Sequence, residues 1–284
     1  VSELTKRVLF AVGAVPVVLG ALYVGDAPLA ILLSVASALG AWEYNRLAAA
    51  AGARPLMAVG VVLAAAMPLL VHAARLGLWA PPLPLVALVV PALLTVALWA
   101  RGVDGKPLAS VATTLFGVLY TGGMLAFAYA LRYHRFAVGD MAGALLLLLP
   151  LALTWANDIG AYFVGRAFGR RKLMPSISPG KTVAGAVGGL ALTVLVTWAY
   201  VRFALQPRTG LGLTTPAIVL LGIVVSVAAQ VGDLVESMLK REAGVKDSSA
   251  LIPGHGGVLD RTDSLLFTLP VTYVLLDLLL VLRP

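Results

Sequence analysis

The 284-residue chain carries 21 Lys and Arg against 13 Asp and Glu, a net charge of +8, and is 60% hydrophobic but only 12% charged. Soluble domains carry about 25% charged residues, so this chain cannot clothe itself in water. An ordinary cytosolic enzyme, a disordered tail and a collagen-like chain are excluded. With no cysteine, disulfides, thiolate catalysis and zinc–cysteine sites are excluded too. The three histidines, His72, His134 and His255, fit no HExxH-type zinc motif. The basic balance needs no nucleic acid, because Lys and Arg mark cytoplasmic loops of membrane proteins and attract anionic lipid or nucleotide.

A membrane-crossing helix needs about 20 apolar residues. Nine stretches qualify in chain order: 7–24, 28–47, 56–74, 83–100, 108–131, 141–163, 181–203, 213–232 and 265–282. They predict an all-α polytopic integral membrane protein of about nine transmembrane helices. Lys6 and Arg7 before the first run could open a signal peptide. No small-residue cleavage site follows and more spans do, so the run reads as a membrane helix. Pro68, Pro81, Pro82, Pro84 and Pro91 interrupt the third and fourth spans, which neighbouring helices can tolerate.

With the N-terminus in the cytoplasm, fifteen of the 21 Lys and Arg fall inside and six outside. The positive-inside rule supports that orientation; the expected location is the cell (inner) membrane, with the active site on its cytoplasmic side. The expected organisation is an N-terminal set of helices, 1–140, for scaffold and lipid access. A catalytic half, 141–284, follows with cytoplasmic segments 164–182 and 233–263.

Those two segments concentrate the charge. Glu43, beside Trp42 and Tyr44 near the end of the second span, reads as an interfacial anchor. Asn157 and Asp158 interrupt an apolar span, with Tyr162 one turn on; an intramembrane Asp is a functional candidate by default, and the bland reading is an interhelical hydrogen bond. Ser178-Pro179-Gly180-Lys181-Thr182 ends like a P-loop, but Pro175 occupies the required first glycine and no buried strand precedes it, so Walker A is rejected. Ser178, Lys181 and Thr182 can still meet phosphate at the start of the next helix.

Asp233, Glu236, Ser237 and Lys240 share one helical face. Downstream come Pro253-Gly254-His255-Gly256-Gly257 and then Asp260-Arg261-Thr262-Asp263. Glycine backbone permits close approach to phosphate. Asp260 and Asp263 are three apart and can face one way, and two or three carboxylates suit Mg²⁺. Dipole complementation at a helix start explains one of these acids better than both.

The run Ser237-Met238-Leu239-Lys240-Arg241, Lys246-Asp247, Pro253–Gly257 and Asp260–Asp263 resembles the signature of phosphatidate cytidylyltransferases. Asn157-Asp158, Tyr162, Gly165-Arg166 and Ser178–Thr182 resemble the same family, so the likeness covers 150–284. It implies transfer of a cytidylyl group from CTP to phosphatidic acid, giving CDP-diacylglycerol and pyrophosphate in phospholipid biosynthesis, with Mg²⁺ and room for a second cation. The family's metal acids fall on Asp233 and Asp260, with Asp263 of second rank. Lys181, Lys240, Arg241, Lys246 and Arg261 become candidates to hold phosphates. The resemblance makes Asn157, Asp158, Tyr162, Ser178, Thr182, Ser237, Asp247, Gly254, His255, Gly256 and Gly257 further substrate-binding candidates. Membrane lipids are natural partners, nucleic acid is not, and a homodimer is compatible. The competing readings are a CTP-dependent lipid kinase and a secondary transporter; the latter lacks paired repeats.

Overall fold

The computed structural model describes residues 3–252, 254 and 256–282. Among the described residues, nine helices carry the chain: α1 Glu3–Val24, α2 Asp26–Ala50, α3 Met57–Arg75, α4 Leu83–Arg101, α5 Pro107–Arg132, α6 Gly139–Phe168, α7 Val183–Thr209, α8 Thr215–Glu242 and α9 Leu259–Leu279. Eight of these are long and apolar enough to cross a membrane, and α1 contributes the shorter apolar stretch Val12–Val24. The protein is an all-α polytopic membrane protein, as its apolar runs predict. One short hairpin and one long-range strand pair supplement the helices. In one, β1 Lys172–Met174 pairs antiparallel with β2 Ser178–Thr182; in the other, β3 Leu211–Gly212 pairs with β4 Val281–Leu282.

The chain forms two compact units, one of residues 1–18, 26–129 and 239–261, the other of 19–25, 130–238 and 262–284. Residues 239–261 belong to the C-terminal half in sequence but pack within the first unit.

In the first unit, α2 packs on α3, and α4 on α5. Leu56, Leu93, Ala97 and Val111 form a buried cluster there. Pro68 withholds the N–H that the Ala64 carbonyl would receive. The bare backbone of Gly122 meets that carbonyl, where a Cβ would collide. Pro68 and Pro91 both lie inside continuous helices, α3 and α4. Leu88, Leu94 and Leu98 of α4 remain exposed, a surface suited to acyl chains rather than water.

In the second unit, α6 and α7 pack along much of their length because small residues face each other. A Cβ at Gly188 would run into the Val164 side chain, one at Gly160 would lie 2.6 Å from the Gly188 carbonyl oxygen, and one at Gly189 2.8 Å from that of Asn157. Close backbone approach is the usual basis of helix packing in lipid, where no hydrophobic drive separates helix from solvent. Gly188→Leu is therefore expected to destabilise the protein by about 1–3 kcal/mol, read as a lower melting temperature in detergent. Gly13→Leu, where a Cβ would meet no atom within 4 Å, is expected to leave it unchanged. The end of α1 is tied to this unit by buried Arg132, which donates to the carbonyls of Leu22 (3.3 Å) and Tyr23 (2.9 Å) and to Asp140 (2.9 Å).

Helices and apolar runs do not end together. α8 continues ten residues past the apolar run because 233–242 is rich in Leu, Glu, Met, Lys and Arg, all good helix formers. α9 starts at Leu259, which puts Asp260 in its first turn. The segment 164–182 is not an open loop: α6 runs to Phe168, and Pro175 and Pro179 bar further helix while admitting the β1–β2 hairpin.

Candidate active site

A cavity of about 640 Å³ lies wholly within the second unit. One face of α6 supplies Asn157, Asp158, Tyr162, Gly165 and Arg166, positions that helical periodicity stacks together. The hairpin adds Lys172, Gly180, Lys181 and Thr182, α7 adds Gly185 and Ala186, and α8 adds Gln230 and Asp233. Three cations, Arg166, Lys172 and Lys181, therefore share the cavity wall with two carboxylates, Asp158 and Asp233. Lys181 Nζ stands 2.6 Å from Asp233 Oδ2, with both side chains partly exposed. Ser237 Oγ donates to Asp233 Oδ1 (3.4 Å), and Arg166 Nη1 to the Tyr162 hydroxyl (2.9 Å).

The local fold explains why these groups converge. The register Lys172↔Thr182 brings the basic segment back to the start of α7. Thr182 caps that helix by accepting the Gly185 N–H at 3.1 Å, a standard N-cap contact. Gly169 and Gly185 let this corner close: a Cβ on Gly169 would lie 2.6 Å from Thr182 Oγ1. On one side of the cavity, Asn157 is buried and its Oδ1 accepts from Ser226 Oγ (2.8 Å) and Gln230 Nε2 (3.1 Å), while Gln230 also donates to the Ala186 carbonyl (3.1 Å). Asn157 thus makes the interhelical bonds of the bland reading while lining the cavity. Asp158 is exposed. Ser178 pairs with Met174 in the hairpin and is not among the lining residues.

The glycine-rich segment and Asp260 make a second polar constellation, inside the first unit. Asp260 Oδ2 accepts from Ser248 N (2.9 Å), Ser248 Oγ (2.8 Å) and Gly257 N (2.8 Å), and Oδ1 pairs with Lys240 Nζ at 2.7 Å. Gly254 and Gly256 take φ of 72° and 81°, a left-handed backbone that favours glycine. Gly257 serves packing: its N–H goes to Asp260, and a Cβ would strike Ser248 Oγ and the Glu43 carboxylate. His255 lies outside the described residues. Lys246, Asp247 and Arg261 are exposed, and Arg241 Nη1 donates to the Val245 carbonyl at 3.4 Å. Asp263 Oδ1 accepts the Ser264 N–H at 2.6 Å.

Glu43 is corrected by the structure. It is no interfacial anchor but a fully buried carboxylate that accepts from Ser249 Oγ, Val258 N and Leu259 N, with Ser248 Oγ 3.2 Å away sharing its one proton between Glu43 and Asp260. Ser248, Ser226, Gln230 and Lys172 are also absent from the residues that the sequence singles out for binding. A lone Ser or Gln in an apolar run carries no spacing signal.

Among the described residues, no three His, Cys, Asp or Glu side chains converge to hold a metal ion. Mg²⁺ in its usual form needs only one or two protein carboxylates, its shell being completed by water and phosphate oxygens. Asp233 and Asp158 meet that requirement at the cavity wall. Asp260 is already an acceptor four times over, so a cation there would replace Lys240 at Oδ1.

The model of the cytidylyltransferase family matches residues 5–279, so the likeness extends well beyond 150–284. A phosphatidate cytidylyltransferase of Pseudomonas aeruginosa is 37% identical over 295 residues, covering 96% of this chain and 97% of that protein. One of Haemophilus influenzae is 48% identical over 140 residues, 49% of this chain and 48% of that protein. One of Synechocystis is 39% identical over 198 residues, 61% and 64%. The chain thus spans about half to two thirds of the latter two.

Proposed function

Because this chain belongs to the cytidylyltransferase family, we propose that it transfers the cytidylyl group of CTP to phosphatidate, giving CDP-diacylglycerol and pyrophosphate. The observation that carries this reading is a cavity pairing Asp158 and Asp233 with Arg166, Lys172 and Lys181 on helices long enough to span a membrane. A phosphate oxygen of the lipid forms the new bond to the α-phosphorus as the bond to the pyrophosphate oxygen breaks. The nucleophile is already an anion, so no strong base is required. The difficulty is repulsion between two polyanions, and catalysis rests on positioning and charge neutralisation.

Lys181, Lys172 and Arg166 hold and orient phosphate oxygens by charge-assisted hydrogen bonds. Asp233 keeps Lys181 extended into the cavity through their 2.6 Å contact. Asp233 and Asp158 in the cavity wall are the carboxylates proposed to serve Mg²⁺ there, which would neutralise triphosphate charge and ease pyrophosphate departure; the family likeness adds Asp260 and Asp263 as acids of the reaction. The positive-inside count supports a cavity opening to the cytoplasm, where CTP resides, while the lipid's tails stay in the bilayer.

The test is pyrophosphate release by purified protein in detergent–lipid micelles with CTP and Mg²⁺. Release is expected with phosphatidate and absent with diacylglycerol. CDP release with diacylglycerol would overturn the reading in favour of a lipid kinase.

A further inference from the structure

Glu43 has no part in the chemistry proposed above, yet three hydrogen bonds converge on its carboxylate and a fourth donor, Ser248 Oγ, is shared with Asp260. A carboxylate taken wholly out of solvent costs several kcal/mol unless donors compensate it. Glu43 is 0% exposed, and both of its oxygens are served. Oε1 accepts from Ser249 Oγ (2.5 Å) and Val258 N (3.0 Å), and Oε2 from Leu259 N (2.6 Å), with Ser248 Oγ 3.2 Å from Oε2.

Val258 and Leu259 stand at the start of α9. N–H groups at a helix start lie beyond the reach of the helix's own carbonyls and carry the positive end of its dipole. A carboxylate from α2, more than 200 residues earlier in the chain, takes the place of a local cap.

The same loop holds Asp260. Ser248 Oγ lies 2.8 Å from Asp260 Oδ2 and 3.2 Å from Glu43 Oε2, so one hydroxyl separates the two carboxylates. Gly257 fits between them only because it has no Cβ. The Asp260 side chain is 5% exposed, and its orientation follows from the Ser248 and Gly257 N–H groups on Oδ2. Those groups are placed by the segment that Glu43 grips at 248–249 and at 258–259.

We propose that Glu43 is a positioning residue for the transfer reaction: it clamps the 248–259 segment onto the start of α9 and so fixes the carboxylate of Asp260. Glu43 reaches no substrate itself. The role rests on the functional reading above, which counts Asp260 among the acids of the transfer reaction. Losing such an outer partner costs about 10- to 100-fold in activity in comparable sites.

The test is Glu43→Gln in full-length purified protein, with kinetics normalised to folded molecules and amide exchange measured along the chain. A Gln places an NH₂ against donors that need an acceptor. The expected result is a kcat about 10-fold lower, KM for CTP within about twofold, and faster exchange confined to Ser248, Val258 and Leu259. Ser248→Ala breaks the same chain of hydrogen bonds. The double variant should therefore lose no more than the worse single one, whereas independent sites would multiply. Glu43→Asp, which keeps the charge, should recover part of the loss.

If Glu43→Gln does not fold, Ser248→Ala and Ser249→Ala, each missing one hydroxyl, carry the same kinetic and exchange predictions. A merely structural role predicts fewer folded molecules with wild-type kcat, and that result overturns the proposal, as do multiplicative losses in the double variant. A wild type that transfers no cytidylyl group overturns the functional reading and this role together. An active wild type beside unaltered variants overturns only the role of Glu43.

Discussion

Asp233→Asn is expected to lower kcat for cytidylyl transfer about 10³-fold while the protein stays folded and membrane-embedded. Asn has nearly the same shape, so the packing of α8 is kept. What is lost is a negative charge at the cavity wall, 2.6 Å from Lys181 Nζ. That charge serves the proposed cation, and it holds the lysine in place. Without it the wall keeps Arg166, Lys172 and Lys181 with one carboxylate fewer, so the attraction of the protein's own charges for the CTP polyanion should not weaken. The signature is a collapse of kcat with KM for CTP unchanged or lower, the pattern of a group that acts in the transition state. Initial rates over a CTP series, with the melting temperature as the folding control, measure it. A rate within about tenfold of wild type would remove Asp233 from the chemistry.

Lys181→Met is expected to show the opposite split. Met keeps most of the length and volume of the lysine but removes the ammonium that lines the cavity. Ground-state attraction for the triphosphate falls, so KM for CTP should rise and kcat/KM should drop about 100-fold, as for loss of a charge-assisted contact in a partly enclosed site. Asp233 also loses its ion-pair partner, which leaves a carboxylate facing the incoming phosphates. Lys181→Arg keeps the charge and should retain part of the affinity. The same CTP series measures both variants. Equal KM values for Lys181→Met and wild type would place the triphosphate elsewhere.

Much of this is legible in the chain. The apolar runs locate every long helix, because a bilayer sets a length that composition can meet or miss. Pro68 and Pro91 do not break α3 and α4; at Pro68 the freed Ala64 carbonyl faces the bare backbone of Gly122 on a neighbouring helix. The β1–β2 hairpin is harder to read. Its five-residue strand β2 carries one proline and one glycine and no alternation, so period-2 patterning has nothing to register.

In the site, the sequence singles out Asn157, Asp158, Tyr162, Lys181, Thr182 and Asp233, and the structure brings them around one cavity. For Asn157, Asp158 and Asp233 the signal is polarity in or at the edge of an apolar span, which the cost of polar groups in lipid makes informative; Lys181 and Thr182 stand out as phosphate contacts at a helix start, and Tyr162 through the family likeness. Glu43 gives the same signal but reads wrongly, because Trp42 and Tyr44 beside it fit an interfacial belt. Nothing in the sequence pairs it with Ser248 or Leu259, 205 and 216 residues away.

The most direct measurement is label transfer by the purified protein in phosphatidate-containing micelles with Mg²⁺ and CTP labelled on either the α- or the γ-phosphate. Label from the α-position should appear in the lipid, none should appear from the γ-position, and Asp233→Asn should suppress the transfer. Lipid labelled from the γ-position would contradict the account and make the protein a kinase, and no labelled lipid from either, in folded protein, would contradict cytidylyl transfer altogether.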